Sequence, residues 1–426
     1  MRLMRSSTYQ SPLWSLILIM LFLDAARLRS SASFESTDAR RLKRKLMIAN
    51  NNFALNIMRL LPANKNIVLS PFCLSTALGM LYVGAGPSTA RKMAAALQYV
   101  STNLQEEDVA KGFEYLIDDV KFTDPGYTMV GSEAVFLEAH EVNPDYVAVV
   151  SRQFRGHAEV VNFTSQPTEA KNAVNIWVRN STKGLVSSFL RRPIVQNNTR
   201  LVSVSVVYFR GFWSDAFQPS NTYRGQFLNF GVTAKNVSVM HKTEANATLI
   251  DLKRLNATML KLSYGRNATM LLVLPKDSES LDRLESQISP TDLFNGFKNA
   301  TFATVDIHLP KFEIEASYNM QEALLKSGMI EAFSQFDADF SRISEIDGPE
   351  MTISKVLHKV KFRMDEDGLA VKTATGTGND LLYNLNGSGS TNSEIPLKFR
   401  VLHPFLFYVV HAPTNVIVFS GRIVRF

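Results

Sequence analysis

A single cysteine, Cys73, in 426 residues excludes any intramolecular disulfide. The chain therefore either stays in a reducing compartment or is exported without needing covalent staples. Charge of one sign is also scarce. Against 46 basic residues stand 39 acidic ones, and the net +7 is too small and too scattered for the basic stripe of a nucleic-acid binder. No apolar run reaches the ~20 residues of a membrane-spanning helix. Catalytic signatures are missing as well. There is no Gly-x-Ser-x-Gly elbow and no phosphate-binding glycine loop, and His140-Glu141 is followed by Pro144 where a zinc-protease helix needs its second histidine. His140, His157, His241, His308, His358, His403 and His411 stand singly, and their spacing gives no metal site. The expectation is a protein that is not an enzyme and needs no metal or cofactor, with neither nucleic acid nor membrane as a partner.

What is present is globular. Apolar residues make up 46% and charged residues 20%, and the length allows a large core. The N-terminus has Arg2 and Arg5, then an eleven-residue apolar core from Leu13 to Leu23, then small residues at Ala25 and Ala26. That order reads as a secretory signal peptide over 1–26. Glycosylation sequons at Asn162, Asn180, Asn197, Asn236, Asn246, Asn256, Asn267, Asn299 and Asn386 agree with export. The expected product is a secreted, extracellular glycoprotein and a monomer. Residues 27–45 form a polar and basic arm. Its run Arg40, Arg41, Lys43, Arg44 and Lys45 reads as a solvated lead into a helix, with a processing site or a weak polyanion patch as alternatives.

Residues 46–426 contain no Pro/Gly/Ser-rich linker and read as one domain. Helical spacing runs over Leu46–Leu61, and Ser70-Pro71 is a helix-start signal before an apolar stretch to Gly84. Further helical patterns lie at Gln105–Lys121, Thr168–Ser181, Leu281–Gln287 and Met320–Gly328. Strand-like runs lie at Glu133–Leu137, Arg200–Phe209, Thr248–Leu252, Ala257–Leu262, Thr269–Leu274, Ala303–Leu309, Phe399–Val410 and Val416–Phe419. Helices gathered early and strands later argue an α+β fold.

One stretch breaks the pattern. Residues 373–393 hold four glycines and no basic residue, the composition of an exposed loop, yet they carry the apolar cluster Leu381-Leu382-Tyr383 at their centre. A loop of this length inside a compact domain is characteristically functional or disordered.

The ordered strings along the chain are those of a family. Asn66-Ile67-Val68-Leu69-Ser70-Pro71, Leu81-Tyr82-Val83-Gly84-Ala85, Asn175-Ile176-Trp177-Val178, Thr182-Lys183-Gly184 and Tyr208-Phe209-Arg210-Gly211-Phe212-Trp213 resemble the serpins. So do Leu309-Pro310-Lys311-Phe312, Gly328-Met329, His358-Lys359, His403-Pro404-Phe405-Leu406-Phe407 and Phe419-Ser420-Gly421-Arg422. The match covers about Leu46 to Phe426. It implies three β-sheets, about nine α-helices and an exposed reactive-centre loop at about 366–398. It also implies a secreted serine-protease inhibitor. In inhibitory members a protease cleaves the loop, and the loop then enters the large sheet as a new strand with the protease attached.

Several residues inherit roles from that resemblance. The hinge is Glu366, Asp367, Gly368, Leu369, Ala370 and Val371. Counting the family's usual spacing forward from Gly368 puts the reactive bond after Leu382, before Tyr383, with Leu381 the near alternative; counting back from Pro404 lands near Asn392-Ser393. An apolar residue there suits chymotrypsin-like or elastase-like serine proteases, and no Lys or Arg lies between Lys372 and Lys398 to serve a trypsin-like one. A sheet-opening polar cluster falls on Ser70, Cys73, Ser205 and His358. Two departures stand out. Leu369, Val371 and Lys372 are bulkier than the small residues usual in inhibitory hinges, and Cys73 and Ser205 replace a serine and an asparagine. The bulkier hinge leaves a second reading open, a non-inhibitory secreted carrier, chaperone or binding protein.

Overall fold

The computed structural model describes residues 36–120, 124–186, 189–193, 199–295, 300–347, 351–368 and 397–426. Backbone contacts divide the chain into two units, 1–41 and 42–426. In the first, Ser36 Oγ accepts the Ala39 amide at 3.0 Å, and Asp38 pairs with Arg41 at 2.7 Å. A capping hydroxyl and an acidic residue in the first turn start helix α1 (Thr37–Arg59) nine residues ahead of the expected Leu46. The basic run is thus helical rather than an extended arm.

The second unit carries the rest. In chain order come β1 (Ile67–Leu69), α2 (Pro71–Gly84), α3 (Pro87–Ala96), α4 (Glu106–Val120), β2 (Tyr127–Leu137), α5 (Pro144–Gln153), β3 (His157–Val160), α6 (Pro167–Ser181) and β4 (Leu201–Gly211). There follow β5 (Tyr223–Asn229), β6 (Thr233–Leu252), β7 (Ala257–Tyr264), β8 (Ala268–Pro275), α7 (Leu281–Gln287), α8 (Pro290–Asn295), β9 (Thr301–Pro310), β10 (Phe312–Asn319), α9 (Gln321–Lys326), β11 (Ile353–Met364), β12 (Leu397–Arg400), β13 (Phe405–His411) and β14 (Val416–Ile423). Nine α-helices therefore lie among the described residues, and none of these is long and apolar enough to cross a membrane.

The local chemistry accounts for the key elements. α2 is apolar around nearly its whole circumference and is buried accordingly. Ser70 caps it, its Oγ accepting the Cys73 amide at 3.3 Å, and Pro71 occupies the first helical position. β8, β13 and β14 have both faces buried, as central strands do. At Gly421 on β14 an added Cβ would stand 2.1 Å from the Phe407 ring, so only glycine lets the two strands pack. The expected strand over Phe399–Val410 is two strands. Pro404 has no amide to donate, and the chain leaves one ladder at His403-Pro404 to join another.

The strands form a five-stranded sheet, β10-β11-β4-β2-β3, and a nine-stranded one, β1-β14-β13-β8-β7-β6-β9-β12 with β5 also on β6. The latter is two ladders sharing one strand. β6 is 20 residues long; its first half pairs with β5, and its last five residues pair with β7. Two of the three expected sheets are therefore continuous through β6. The largest apolar core joins α1, through Leu42, Leu46, Ala49, Phe53 and Ile57, to α2, α4 and the five-stranded sheet.

Candidate functional site

The five-stranded sheet is built around one unusual neighbour pair. β11 pairs antiparallel with β10 on one side and parallel with β4 on the other, from Ile353↔Leu201 to Arg363↔Arg210. Its C-terminal end leads straight into the hinge. β11 and β4 are hydrogen-bonded to each other along their length, so no strand lies between them.

The hinge start is tied down at that end. The Trp213 indole donates to the Asp365 carbonyl at 2.7 Å, and the Trp213 amide donates to the Asp367 carbonyl at 2.9 Å. Trp213 is itself fixed, stacked on Tyr264 with ring centroids 4.3 Å apart. Arg363 pairs with Asp365, and Arg210 with Asp367. Glu366 takes the Lys311 ammonium at 2.5 Å and the Thr222 hydroxyl at 2.8 Å. Burial opposes ionisation of Glu366, but Lys311, backbone hydrogen bonding and Thr222 outweigh it and hold the carboxyl below its usual range. Gly368 bridges to Trp213, and an added Cβ there would meet Ala216 Cβ at 2.3 Å. Leu369, Ala370 and Val371, and the reactive-bond candidates Leu381, Leu382 and Tyr383, lie outside the described residues. The chain re-enters as β12, parallel to β9 with Leu397 opposite Val305 and Arg400 opposite His308.

Midway down the β4–β11 pair, the structure gathers the four residues of the polar cluster. His358 lies directly across from Ser205. Its Nδ1 is 3.1 Å from Ser205 Oγ, and its Nε2 accepts the Ser70 amide at 3.0 Å. An amide can only donate, so Nε2 is the unprotonated nitrogen and Nδ1 carries the proton toward Ser205. Ser70 Oγ donates to the Val418 carbonyl at 2.8 Å, linking the cluster to β14. Complete burial pushes the His358 imidazole down to about 3, so it is neutral at physiological pH. Cys73 is buried with its sulfur against Gly131 of β2, where an added Cβ would be 3.0 Å away. The bulkier sulfur occupies space that glycine leaves. Nearby on β4, Ser203 Oγ is buried with no hydrogen-bond partner among the described residues.

The other candidate sites are scattered. Asn162, Asn180, Asn236, Asn246 and Asn256 are exposed and Asn267 is half-buried; Asn197, Asn299 and Asn386 lie outside the described residues. Much of the basic run is engaged, with Lys43 on Asp119 at 2.5 Å, Lys45 on the Asn103 carbonyl at 2.5 Å, and Arg41 on Asp38. Sequence reading missed β5, the first half of β6, β10 and β11. Their alternation is diluted by charged residues, as in Lys-Val-Lys-Phe-Arg of β11, which shows strand period only once its exposed face is known.

A family model described as Serpin (serine protease inhibitor) matches residues 48–426. Serpin B10 of Sorex araneus is 29% identical over 398 residues, covering 87% of this chain and 97% of its own. Human Serpin B8 is 30% identical over 382 residues, covering 88% and 97%. Among solved structures, human thyroxine-binding globulin superposes with a TM-score of 0.77 at 27% identity, covering 90% of this chain and 99% of its own.

Proposed function

The chain belongs to the serpin family of serine protease inhibitors, which are not enzymes, and on that premise we propose that it is a secreted inhibitor acting through cleavage of its 366–398 loop and insertion of the freed segment between β4 and β11. The observation that carries this reading is the direct parallel pairing of β4 with β11, with the hinge leaving the end of β11. A segment following Gly368 reverses direction and, entering that gap, runs antiparallel to both neighbours. Such pairing replaces one ladder by two.

Length supports cleavage after Leu382. Residues 369–382 extend to roughly 46 Å at ~3.3 Å per residue, whereas the twelve residues of β11 span roughly 40 Å. A segment cut there reaches the far end of the sheet. No proline lies between Pro349 and Pro396, so every amide of the segment can join a ladder. Leu382, with Tyr383 beyond it and Leu381 the near alternative, fits the apolar primary pocket of chymotrypsin-like or elastase-like proteases. Secretion rests on the N-terminal leader and on the exposed sequon asparagines.

A second reading, a non-inhibitory binding protein, is favoured by one feature, the bulk of Leu369, Val371 and Lys372. Entry between strands competes with deacylation, and bulk slows entry. Incubation of the glycosylated chain with chymotrypsin, an elastase and trypsin separates the two on a denaturing gel. A boiling-stable band at the summed mass with either of the first two, and cleavage after Leu382, is expected. Cleavage with no such band would move the assignment to the second reading.

A further inference from the structure

The histidines that stand singly in the sequence do not all stay apart. β6 and β9 pair antiparallel with His241 directly opposite His308. Their rings stack with centroids 4.3 Å apart and planes 13° from parallel. Asp306 is two residues before His308 on β9, hence on the same face. Its carboxylate meets both rings, Oδ1 at 2.7 Å from His241 Nε2 and Oδ2 at 3.2 Å from His308 Nε2. One nitrogen from each imidazole and one carboxylate oxygen lie within 4.8 Å of one another. Among the described residues no other set of His, Cys, Asp and Glu side chains converges in this way.

We propose that His241, Asp306 and His308 form a binding site for a divalent transition-metal ion of the zinc type on the β6–β9 ladder. Two neutral imidazoles and a carboxylate are a zinc donor set, with bonds of about 2.0–2.2 Å and one position left for water. The three donor atoms, within 4.8 Å of one another, draw closer to surround one ion by rotation of the carboxylate and small shifts of the two rings. The outer contacts suit this role. Tyr223 Oη is 2.9 Å from His308 Nδ1. In the metal-free fold the Asp306 carboxylate can only accept, so Nε2 carries the proton and the Tyr223 hydroxyl donates to Nδ1; ligation moves the proton to Nδ1, where the same hydroxyl accepts it. The side chains of His241, Asp306 and His308 are 26%, 16% and 9% exposed, so an ion has a path from solvent and a partly dry seat. The opposing charges are cationic: Arg400 and Lys398 of β12 lie across from His308 and Asp306, and Lys242 follows His241. These cations weaken the binding of an ion relative to an enclosed structural site.

The site is independent of loop insertion and is tested on the full chain, freed of metal, by calorimetric titration with zinc chloride at pH 7.4. One zinc per chain with saturable binding is expected, with at least a tenfold loss in His241→Gln and in His308→Gln. A double variant, His140→Ala with His157→Ala, removes an exposed and a half-buried histidine elsewhere and keeps the affinity. Cobalt(II) bound to the wild-type chain gives the visible absorption of a tetrahedral nitrogen-oxygen site, a readout that holds even if the glutamine variants fold poorly. No saturable binding, binding unchanged in the glutamine variants, or an octahedral cobalt spectrum overturns the proposal.

Discussion

β11 has two neighbours, and they hold it differently. Across the β10–β11 ladder, ion pairs tie lysines of β11 to exposed glutamates of β10: buried Lys359 to Glu315 at 2.7 Å and half-buried Lys361 to Glu313 at 3.4 Å. Across the β4–β11 ladder the side-chain contacts are buried and mostly apolar. They include the stacked rings of Phe209 and Phe362, 5.3 Å apart, and the buried polar contact between His358 and Ser205. Charged contacts appear only at its top, where Arg210 reaches Asp365 at 3.7 Å. The ladder laced by cross-strand charges belongs to strands that travel together. On the proposed insertion, the ladder held by apolar packing and one histidine is the one that parts, its backbone bonds remade on either side of the incoming strand.

The sharpest break of that contrast is a pair of covalent locks. Ser203→Cys with Val356→Cys joins register partners across β4–β11 and is expected to abolish the boiling-stable protease complex, leaving cleavage intact, until the bond is reduced. Ala316→Cys with Val360→Cys joins register partners across β10–β11 and leaves trapping unchanged. A complex that forms in both locked proteins dissolves the distinction. Next in size is the gain on cleavage. About ten new ladder hydrogen bonds, at roughly 1 kcal/mol net each, add on the order of 10 kcal/mol. Protein nicked after Leu382 should therefore melt far above the intact chain, and equal melting temperatures would show that the segment stays outside.

A smaller effect isolates the histidine. His358 is neutral in the fold down to about pH 3, whereas the unfolded chain takes that proton below about pH 6.5. The unfolded state binds the extra proton in this window, so stability is lost as pH falls from about 6.5, with a slope of up to about 1.4 kcal/mol per pH unit. By pH 5 the loss from this group is about 2 kcal/mol. Urea midpoints from pH 8 to 5 should show this slope in the wild type and lose its share in His358→Asn. The smallest change concerns the charged ladder: Lys361→Ala removes a half-exposed ion pair and should cost under about 1 kcal/mol in the same assay.

The sequence made the fold legible where its signals were local. Ser70-Pro71 marked the start of α2, and Leu281–Gln287 coincides with α7 because its apolar period is short and unbroken. β11 was hidden because charged residues alternate with its apolar ones on a face that is only partly exposed, and β5 and the first half of β6 because their outward residues are polar. The opening cluster was legible only through the family resemblance. Nothing in the spacing of residues 70, 205 and 358 brings them together; parallel pairing of β11 with β4 does. The meeting of His241 with His308 was likewise invisible, since 67 positions separate them and only antiparallel register aligns them.

Trp213 carries one further consequence. The sequence has three tryptophans; Trp14 lies outside the described residues and Trp177 on α6, so among the described residues Trp213 alone sits at the hinge. Its indole proton is held by the Asp365 carbonyl, the last backbone before the chain turns into the loop. A hinge that straightens into a strand moves that carbonyl and repacks the ring against Tyr264. The protein thus contains its own optical gauge. In a background of Trp14→Phe with Trp177→Phe, stopped-flow emission would time the entry of the loop without any attached dye.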